Sequence, residues 1–428
     1  MNLKTRLRST VMRHLASAGY LEKQRAKARK AREKQGEASV VHYFHQVDDP
    51  YSQLAVQKLD ELRARYDLAF RPHLVSKPDD AYQGSAAHFD RWGRRDAASV
   101  AGDYGTRFAP IVEAPPPDAV GLANRLLCRH LDQDDFADTA LSVGEALWSG
   151  QPIDASAEAG AGERAVAEGN ALRRSLGHYQ GAMFYFEGEW FWGIDRIRLL
   201  ERRLIDEGFD SSDALCVPEP TPTDTTGLDA SGVLLEYFPS LRSPYTAIGH
   251  ARVVDLIARS GVAIRVRPVM PMLMRGIPAP REKQRYIITD AAREGRAHDV
   301  PFGSIVDPFG DPVKRAFALL PGAAALGREL DFVTAYLDAA WFDGTDITTE
   351  SGLRIVAAKA GLDWEALTRA DPHESWEAIL EDNLNTLLEE NLWGVPSFRV
   401  SGGGDDKAFA CWGQDRIWRV ENEIARRA

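Results

Sequence analysis

The chain repeats itself, and the repeat limits the folds open to it more than any other feature. Residues 39–56 read SVVHYFHQVDDPYSQLAV and residues 232–249 read GVLLEYFPSLRSPYTAIG. Each is an apolar run of strand length, a short loop, then x-Pro-Tyr-Ser/Thr opening a stretch with helical spacing. A second pair follows in the same order. Residues 181–204, GAMFYFEGEWFWGIDRIRLLERRL, match residues 394–423, GVPSFRVSGGGDDKAFACWGQDRIWRVENE: strand, turn, strand, then W-G-x-D-R-I at the head of a helix. From Asp49 to Gly193 is 144 residues and from Ser243 to Gly413 is 170. Each half therefore parts its opening β-α unit from its closing β-β-α unit by a long segment. Within those segments, 118–148 and 327–342 carry apolar residues at helical spacing.

A β-α-β start, a helical insertion and a β-β-α finish predict an α/β protein of two tandem thioredoxin-like domains, each with an α-helical insertion. The expected boundaries are 37–208 and 232–428. The stretch CVPEPTPTDTTGLDASG, without periodicity, lies in a linker at 209–231. A chain of 428 residues is longer than one core usually serves.

Charge sets the first residues apart. Residues 1–34 hold eleven lysines and arginines against Glu22 and Glu33, a local +9 on a chain of net −11, which leaves −20 on the remainder. Residues 1–36 read as a solvated basic helical extension, with contact to an acidic membrane surface or partner as the other reading. An acidic body speaks against nucleic acid, whose phosphates need clustered lysines and arginines. The composition, 44% apolar and 27% charged, is that of a globular protein. No run approaches the ~18 uninterrupted apolar residues of a transmembrane segment. Cys128, Cys216 and Cys411 form no C-x-x-C or metal-ligand spacing. That argues against a disulfide scaffold, a zinc site and a dithiol centre together, and points to a reducing, cytoplasmic setting.

The segments Ser243-Pro244-Tyr245, Gly394-Val395-Pro396 and Trp412-Gly413-Gln414-Asp415-Arg416 carry a resemblance, with KQRYIITDAAREGRAHDVPFG between them. Both halves resemble the DsbA-like branch of the thioredoxin superfamily, and within it the 2-hydroxychromene-2-carboxylate isomerase and kappa-class glutathione transferase family. The likeness spans most of 232–424 and, more weakly, 39–206. It implies a glutathione-dependent isomerase or transferase acting on a small organic electrophile. Ser243 takes the place of the thioredoxin cysteine at a helix N-terminus, where the backbone N–H groups and helix dipole favour an anion. Thr246 stands where the second cysteine would be, so dithiol chemistry is excluded there. By the same resemblance the Ser243 hydroxyl stabilises the thiolate of glutathione, and a cis Val395-Pro396 bond presents backbone groups to its cysteinyl part. Gln414 and Asp415 hold the γ-glutamyl ammonium, and Lys283 or Arg275 the glycyl carboxylate. Arg242 and Tyr245 are the substrate-binding candidates.

Each residue has a plainer reading. Ser243 as a helix N-cap, Asp415 as a cap or partner of Arg416, Pro396 as a turn proline and Arg242 as a loop arginine all fit the sequence. Cys411 reads as a small buried hydrophobe, and Asp307 with Asp311 as part of a turn rather than a metal loop. The first half departs from the motif, with Asp49 in place of the serine and Ala182 in place of the proline. Ser52 is the one hydroxyl left there to substitute. That half reads as a degenerate copy, packed on the second as an intramolecular pseudo-dimer. Two alternatives to the enzyme stand: a non-catalytic thioredoxin-fold binding or scaffold protein, and a DsbA-type oxidoreductase by fold only.

Overall fold

Two strands of nearly continuous apolar character lie at the centre of two sheets. VVHYFH forms β1 (Val40–His45) and VLLEYF forms β5 (Val233–Phe238). A strand covered on both faces has no solvent side to keep polar, which is why neither sequence alternates. The computed structural model describes residues 1–111, 113–154, 160–370 and 375–428. In the first half β1 pairs parallel with β2 (Ala69–Leu74) and antiparallel with β3 (Met183–Phe186), which pairs with β4 (Glu189–Trp192). In the second half β5 pairs parallel with β6 (Ala263–Val266) and antiparallel with β7 (Ser397–Gly402), which pairs with β8 (Asp405–Trp412). The strand orders, β2-β1-β3-β4 and β6-β5-β7-β8, are the same. Both follow the element order expected from the repeat.

The chain divides into two compact units. One comprises Leu21–Pro220 with Ala279–Lys283, the other Met1–Tyr20, Thr221–Pro278 and Gln284–Ala428. The division at 220/221 falls inside the expected linker, and that linker is bound at both ends. Glu201, fully buried, accepts the backbone N–H groups of Cys216 and Val217 at 2.7 and 2.9 Å, and Thr225 donates to Glu421 at 3.1 Å. No helix among the described residues is long and apolar enough to cross a membrane.

The basic extension is helical, as Leu3–Ala16 and Ala18–Gln35, but the expectation of a solvated helix needs correction. The hairpin of β3 and β4 carries Glu187 and Glu189, both about 5% exposed, and buried carboxylates require partners. Arg25, Arg29 and Arg32 lie on one helical face and supply them. Arg25 meets Glu189 at 2.8 Å, and Arg29 and Arg32 meet Glu187 at 3.3 and 2.6 Å. Gly188 turns the hairpin with φ +86°, and a Cβ there would stand 2.6 Å from the carbonyl oxygen of Gln24. The lysines of the same helix, Lys23, Lys27, Lys30 and Lys34, are exposed.

In the second half, the inserted helices close a core around Phe317, Phe332, Tyr336 and Trp341. Glu236 in β5 is only 2% exposed and is held by Arg267 at 2.7 Å and, across the strand pair, by Arg399 at 2.5 Å.

Candidate functional site

Ser243 heads the helix Pro244–Ser260 as its N-cap, with φ −97° and ψ 119°. The local sequence dictates this. Its hydroxyl accepts the Thr246 N–H at 3.1 Å, Pro244 occupies the first helical position where no N–H is required, and Gly261 ends the helix at φ +66°. Buried residues at 246, 249, 250, 253, 256 and 260 fix which face points inward. The same hydroxyl donates to the carbonyl oxygen of Val395 at 3.4 Å, and the Val395–Pro396 bond is cis. Ser243 is half-buried, so its oxygen sits between a 17-residue helix and the chain that enters β7.

The closing turn is brought alongside. The Gly413 N–H donates to the Pro396 carbonyl at 2.9 Å, which sets Gln414 and Asp415 after the cis bond's own strand pair. A Cβ on Gly394 would stand 2.3 Å from the Trp412 ring, so only glycine allows the indole to lie there. Trp393 and Trp412 have ring centroids 5.0 Å apart. Residues 234–425 match the family model of the DSBA-like thioredoxin domain. The second half has a DsbA-like thioredoxin fold. A curated relative, the 2-hydroxychromene-2-carboxylate isomerase of Sphingobium xenophagum, is 25% identical over 202 residues, covering 44% of this chain and 97% of the relative. Similar solved structures include a 2-hydroxychromene-2-carboxylate isomerase, at 19% identity over 45% of this chain and 95% of that one, TM-score 0.36. Another is the cytosolic disulfide reductase DsbM of Pseudomonas aeruginosa, at 19% identity over 45% and 98%, TM-score 0.36.

Within the DsbA-like domain the expected ligand residues divide into two groups. Ser243, Val395, Pro396 and Asp415 are brought to one end of the sheet, and Asp415 is half-buried. Gln414 is 1% exposed and engaged within the protein. Arg252 donates to its oxygen, and its nitrogen donates to Glu294 at 3.0 Å, Glu294 itself being fully buried. Arg242 pairs with the fully buried Asp307 at 2.7 Å and lies over the Phe309 ring at 4.8 Å. Tyr245 donates to Asp290 at 2.8 Å.

Of the two carboxylate candidates, Lys283 donates to the Tyr82 carbonyl at 2.7 Å, both residues lying in the unit of the first half. Burial pulls the Lys283 amine down to about 8. Arg275 belongs to the DsbA-like domain. It donates to the Trp393 carbonyl at 2.8 Å, two residues before Val395, while its Nε is buried without a partner among the described residues. Burial pulls its guanidinium down to about 10. Cys411 is buried in β8 opposite Phe398. Asp307 is taken up by arginines, and among the described residues no group of three or more His, Cys, Asp or Glu could hold a metal.

The first half repeats the scaffold of this site without its chemistry. Gly193 donates to the Ala182 carbonyl at 2.8 Å, as Gly413 does to Pro396. Ala182 takes φ +51° where the second half has the cis-proline. Ser52 cannot substitute for the missing serine. Its hydroxyl is fully buried, accepts the N–H groups of Gln46 and Ala182 at 3.1 and 3.0 Å, and donates to Asp49 at 3.0 Å. Thr246 does the same structural work in the second half, accepting from Ser240 N–H at 3.3 Å.

The duplication runs deeper than the motifs. Tyr51 donates to Asp96 at 2.9 Å across 45 residues, and Tyr245 to Asp290 at 2.8 Å across the same 45. Both aspartates are 1% exposed and both open an Asp-Ala-Ala triplet. That triplet at equal spacing was the sequence signal for Asp96 and Asp290. Tyr245 is thus a tether from the site helix to the inserted helix Arg281–Ala297. Tyr51→Phe and Tyr245→Phe are each expected to cost ~1–2 kcal/mol by leaving a buried carboxylate short of a donor. Lower denaturant midpoints, with no change in any ligand affinity, would show it.

Proposed function

We propose that the DsbA-like domain is a glutathione-dependent isomerase or transferase acting on a small organic electrophile, with Ser243 as the group that holds the thiolate. The observation that carries this reading is the Ser243 hydroxyl itself. It stands at the N-terminus of a long helix and its proton is directed to the carbonyl of a cis-prolyl pair, a 3.4 Å contact weak enough to be exchanged for a better acceptor. The isomerase relative adds to it, since the alignment covers nearly the whole of that protein.

The residues at the site fit parts of glutathione unequally. Arg275, half-buried and without an ion pair among the described residues beside the loop to Val395, fits the glycyl carboxylate better than Lys283. Asp415 fits the γ-glutamyl ammonium. Gln414, with both ends of its amide used, positions Asp415 instead of binding. Bound there, glutathione would supply a nucleophile that adds to an electrophilic carbon and, in isomerisation, leaves again. The chain's own part is to hold the sulfur ionised through the Ser243 O–H and the helix terminus, and to fix the two charged ends of the tripeptide. The first half, in this reading, is a thioredoxin-like partner that forms the pseudo-dimer, and the protein works in the cytoplasm.

A second reading, a non-catalytic scaffold of the same fold, is favoured by one observation: Arg242, Tyr245 and Gln414 are all committed to internal bonds. Calorimetric titration of glutathione into the full chain separates the two. We expect saturable binding, weakened tenfold or more in Asp415→Ala and in Arg275→Met. In Ser243→Ala the affinity should change little, while the thiolate absorbance of bound glutathione should titrate at higher pH. No binding at millimolar glutathione would sink the enzyme reading and leave the scaffold.

A further inference from the structure

Beside Asp49 the first half holds a small cleft whose walls carry more unmatched polarity than folding requires. Four buried side-chain atoms there have no hydrogen-bond partner among the described residues: Nε of Arg94, Nε1 of Trp148 and the Oε1 atoms of Gln46 and Gln83. All four residues are more than nine-tenths buried. Polar groups out of reach of water are almost always paired, so four orphans lining one cavity mark a place built around something that enters it. Two are donors and two are acceptors.

The charges in the cleft are only partly matched. Lys77 and Asp90, both lining it, pair with each other at 2.5 Å. Among the described residues Arg94 forms no ion pair, although Asp90 on the same helix favours its charge from further off. Asp48 and Asp49 also line the cleft, and among the described residues neither forms an ion pair with a lysine or arginine, although Lys77 favours the charge of Asp48 from a distance. Asp48 accepts the Gln46 amide at 3.1 Å, and Asp49 accepts donors of its own turn. Burial accordingly pushes both carboxyls up, Asp49 to about 7, and pulls Arg94 down.

The second half does not share this polarity. Arg94 stands 43 residues beyond Tyr51, and the same step from Tyr245 reaches Ile288, a buried core residue. Asp48-Asp49 likewise answer to Arg242-Ser243. The cleft's charged residues are therefore particular to the first half and are not required by the fold that the two halves share.

We propose that this cleft is a binding site for a small α-amino acid, with its carboxylate on Arg94 and the Trp148 indole N–H, and its ammonium on Asp48, Asp49 and the two glutamine carbonyls. A ligand with one charge of each sign satisfies both sets of orphans, whereas a simple anion or cation satisfies one. The cavity volume of about 50 Å³ admits roughly four water-sized groups, which is near the size of glycine and favours it over alanine and larger amino acids. The site owes nothing to Ser243, and its test is independent of glutathione.

The test is calorimetric titration of the full chain with glycine and L-alanine, with acetate and methylammonium as single-charge controls. Saturable binding of the amino acids is expected, at least tenfold tighter than either control, unchanged in Ser243→Ala. Arg94→Met and Asp48→Asn should each weaken it tenfold or more. Because burying a changed residue can unfold a domain, Trp148→Phe, which keeps the ring and removes only the donor, should show a several-fold loss with native circular dichroism. No amino-acid binding at tens of millimolar would mean that water alone fills the cleft and would overturn the proposal. So would acetate binding as tightly as glycine, or Arg94→Met and Trp148→Phe binding undiminished while folded.

Discussion

The stability of Asp49→Asn relative to the parent should rise by about 2–4 kcal/mol as pH goes from 4 to 8. The carboxyl is fully enclosed, and burial raises it from 3.8 to about 7. Its hydrogen bonds from Tyr51 N–H, Ser52 N–H and the Ser52 hydroxyl pull the other way but do not win. Neighbouring Asp48 adds to the rise. Between the two values the folded chain keeps a proton that the unfolded chain has released. Stability from this group is therefore complete below about pH 4 and is lost as pH rises through about 7, at ~1.4 kcal/mol for each unit. His45 and His250, buried and pulled down to about 3 and about 4, act oppositely and cost stability as pH falls below ~6.5. They are common to both proteins, so the difference between parent and variant isolates Asp49. Denaturant midpoints from pH 4 to 8, with hydrogen exchange by mass spectrometry to assign the transition to residues 21–220, make the measurement. Parallel stability curves for the two proteins would show that Asp49 is ionised throughout and that the surrounding donors outweigh burial.

The sequence disclosed those parts of the fold whose cause is local. β1 and β5 read as covered strands because their apolar runs are nearly continuous, and Ser243 read as a helix head because serine, proline and a later glycine each have a reason to be where they are. The two sheets followed from the order of such elements. What stayed hidden depends on partners distant in sequence. Nothing near Gln414 announces that Arg252 and Glu294 will consume its amide, and nothing near Arg242 announces Asp307. Lys283 looked well placed because it lies in the second half, yet it bonds to Tyr82 some 200 residues earlier. Some of the hidden part was legible in principle. The Asp-Ala-Ala triplets stand 45 residues after each tyrosine, and Arg25, Arg29 and Arg32 share a face from which the lysines are absent. The arginines differ from the lysines because a guanidinium can satisfy several acceptors at once at a partly buried carboxylate. Reading the first residues as one basic tract blurred that distinction.

Asp307→Ala should lower the stability of the unit that contains Ser243 by about 2–4 kcal/mol and release the N-terminal helix from it. Asp307 is fully buried and is the shared partner of two arginines, Arg242 at 2.7 Å and Arg8 at 2.6 Å. Both guanidinium groups also lie over Phe309, at 4.8 and 5.1 Å. Removing the carboxylate leaves Arg242, whose side chain is 15% exposed, without its counter-charge in a place water hardly reaches, which is the costly way to break a buried pair. Arg8, at 37%, can turn to solvent and loses less. The backbone of Asp307 also donates to Ser9 at 2.9 Å, and Arg13 donates to the Ile305 carbonyl at 2.7 Å, so this loop fastens the middle of the helix Leu3–Ala16, while Arg296 holds its last carbonyl at 3.2 Å. The order of effects is therefore fixed: Asp307→Ala most severe, Arg242→Met next, Arg8→Met mildest. Faster amide exchange over residues 3–16 should accompany the first and last, since both cut the same link. If Arg8→Met proved as damaging as Asp307→Ala, the weight would rest on the helix and its contacts, and Arg242 would be free to meet a substrate as the sequence first suggested.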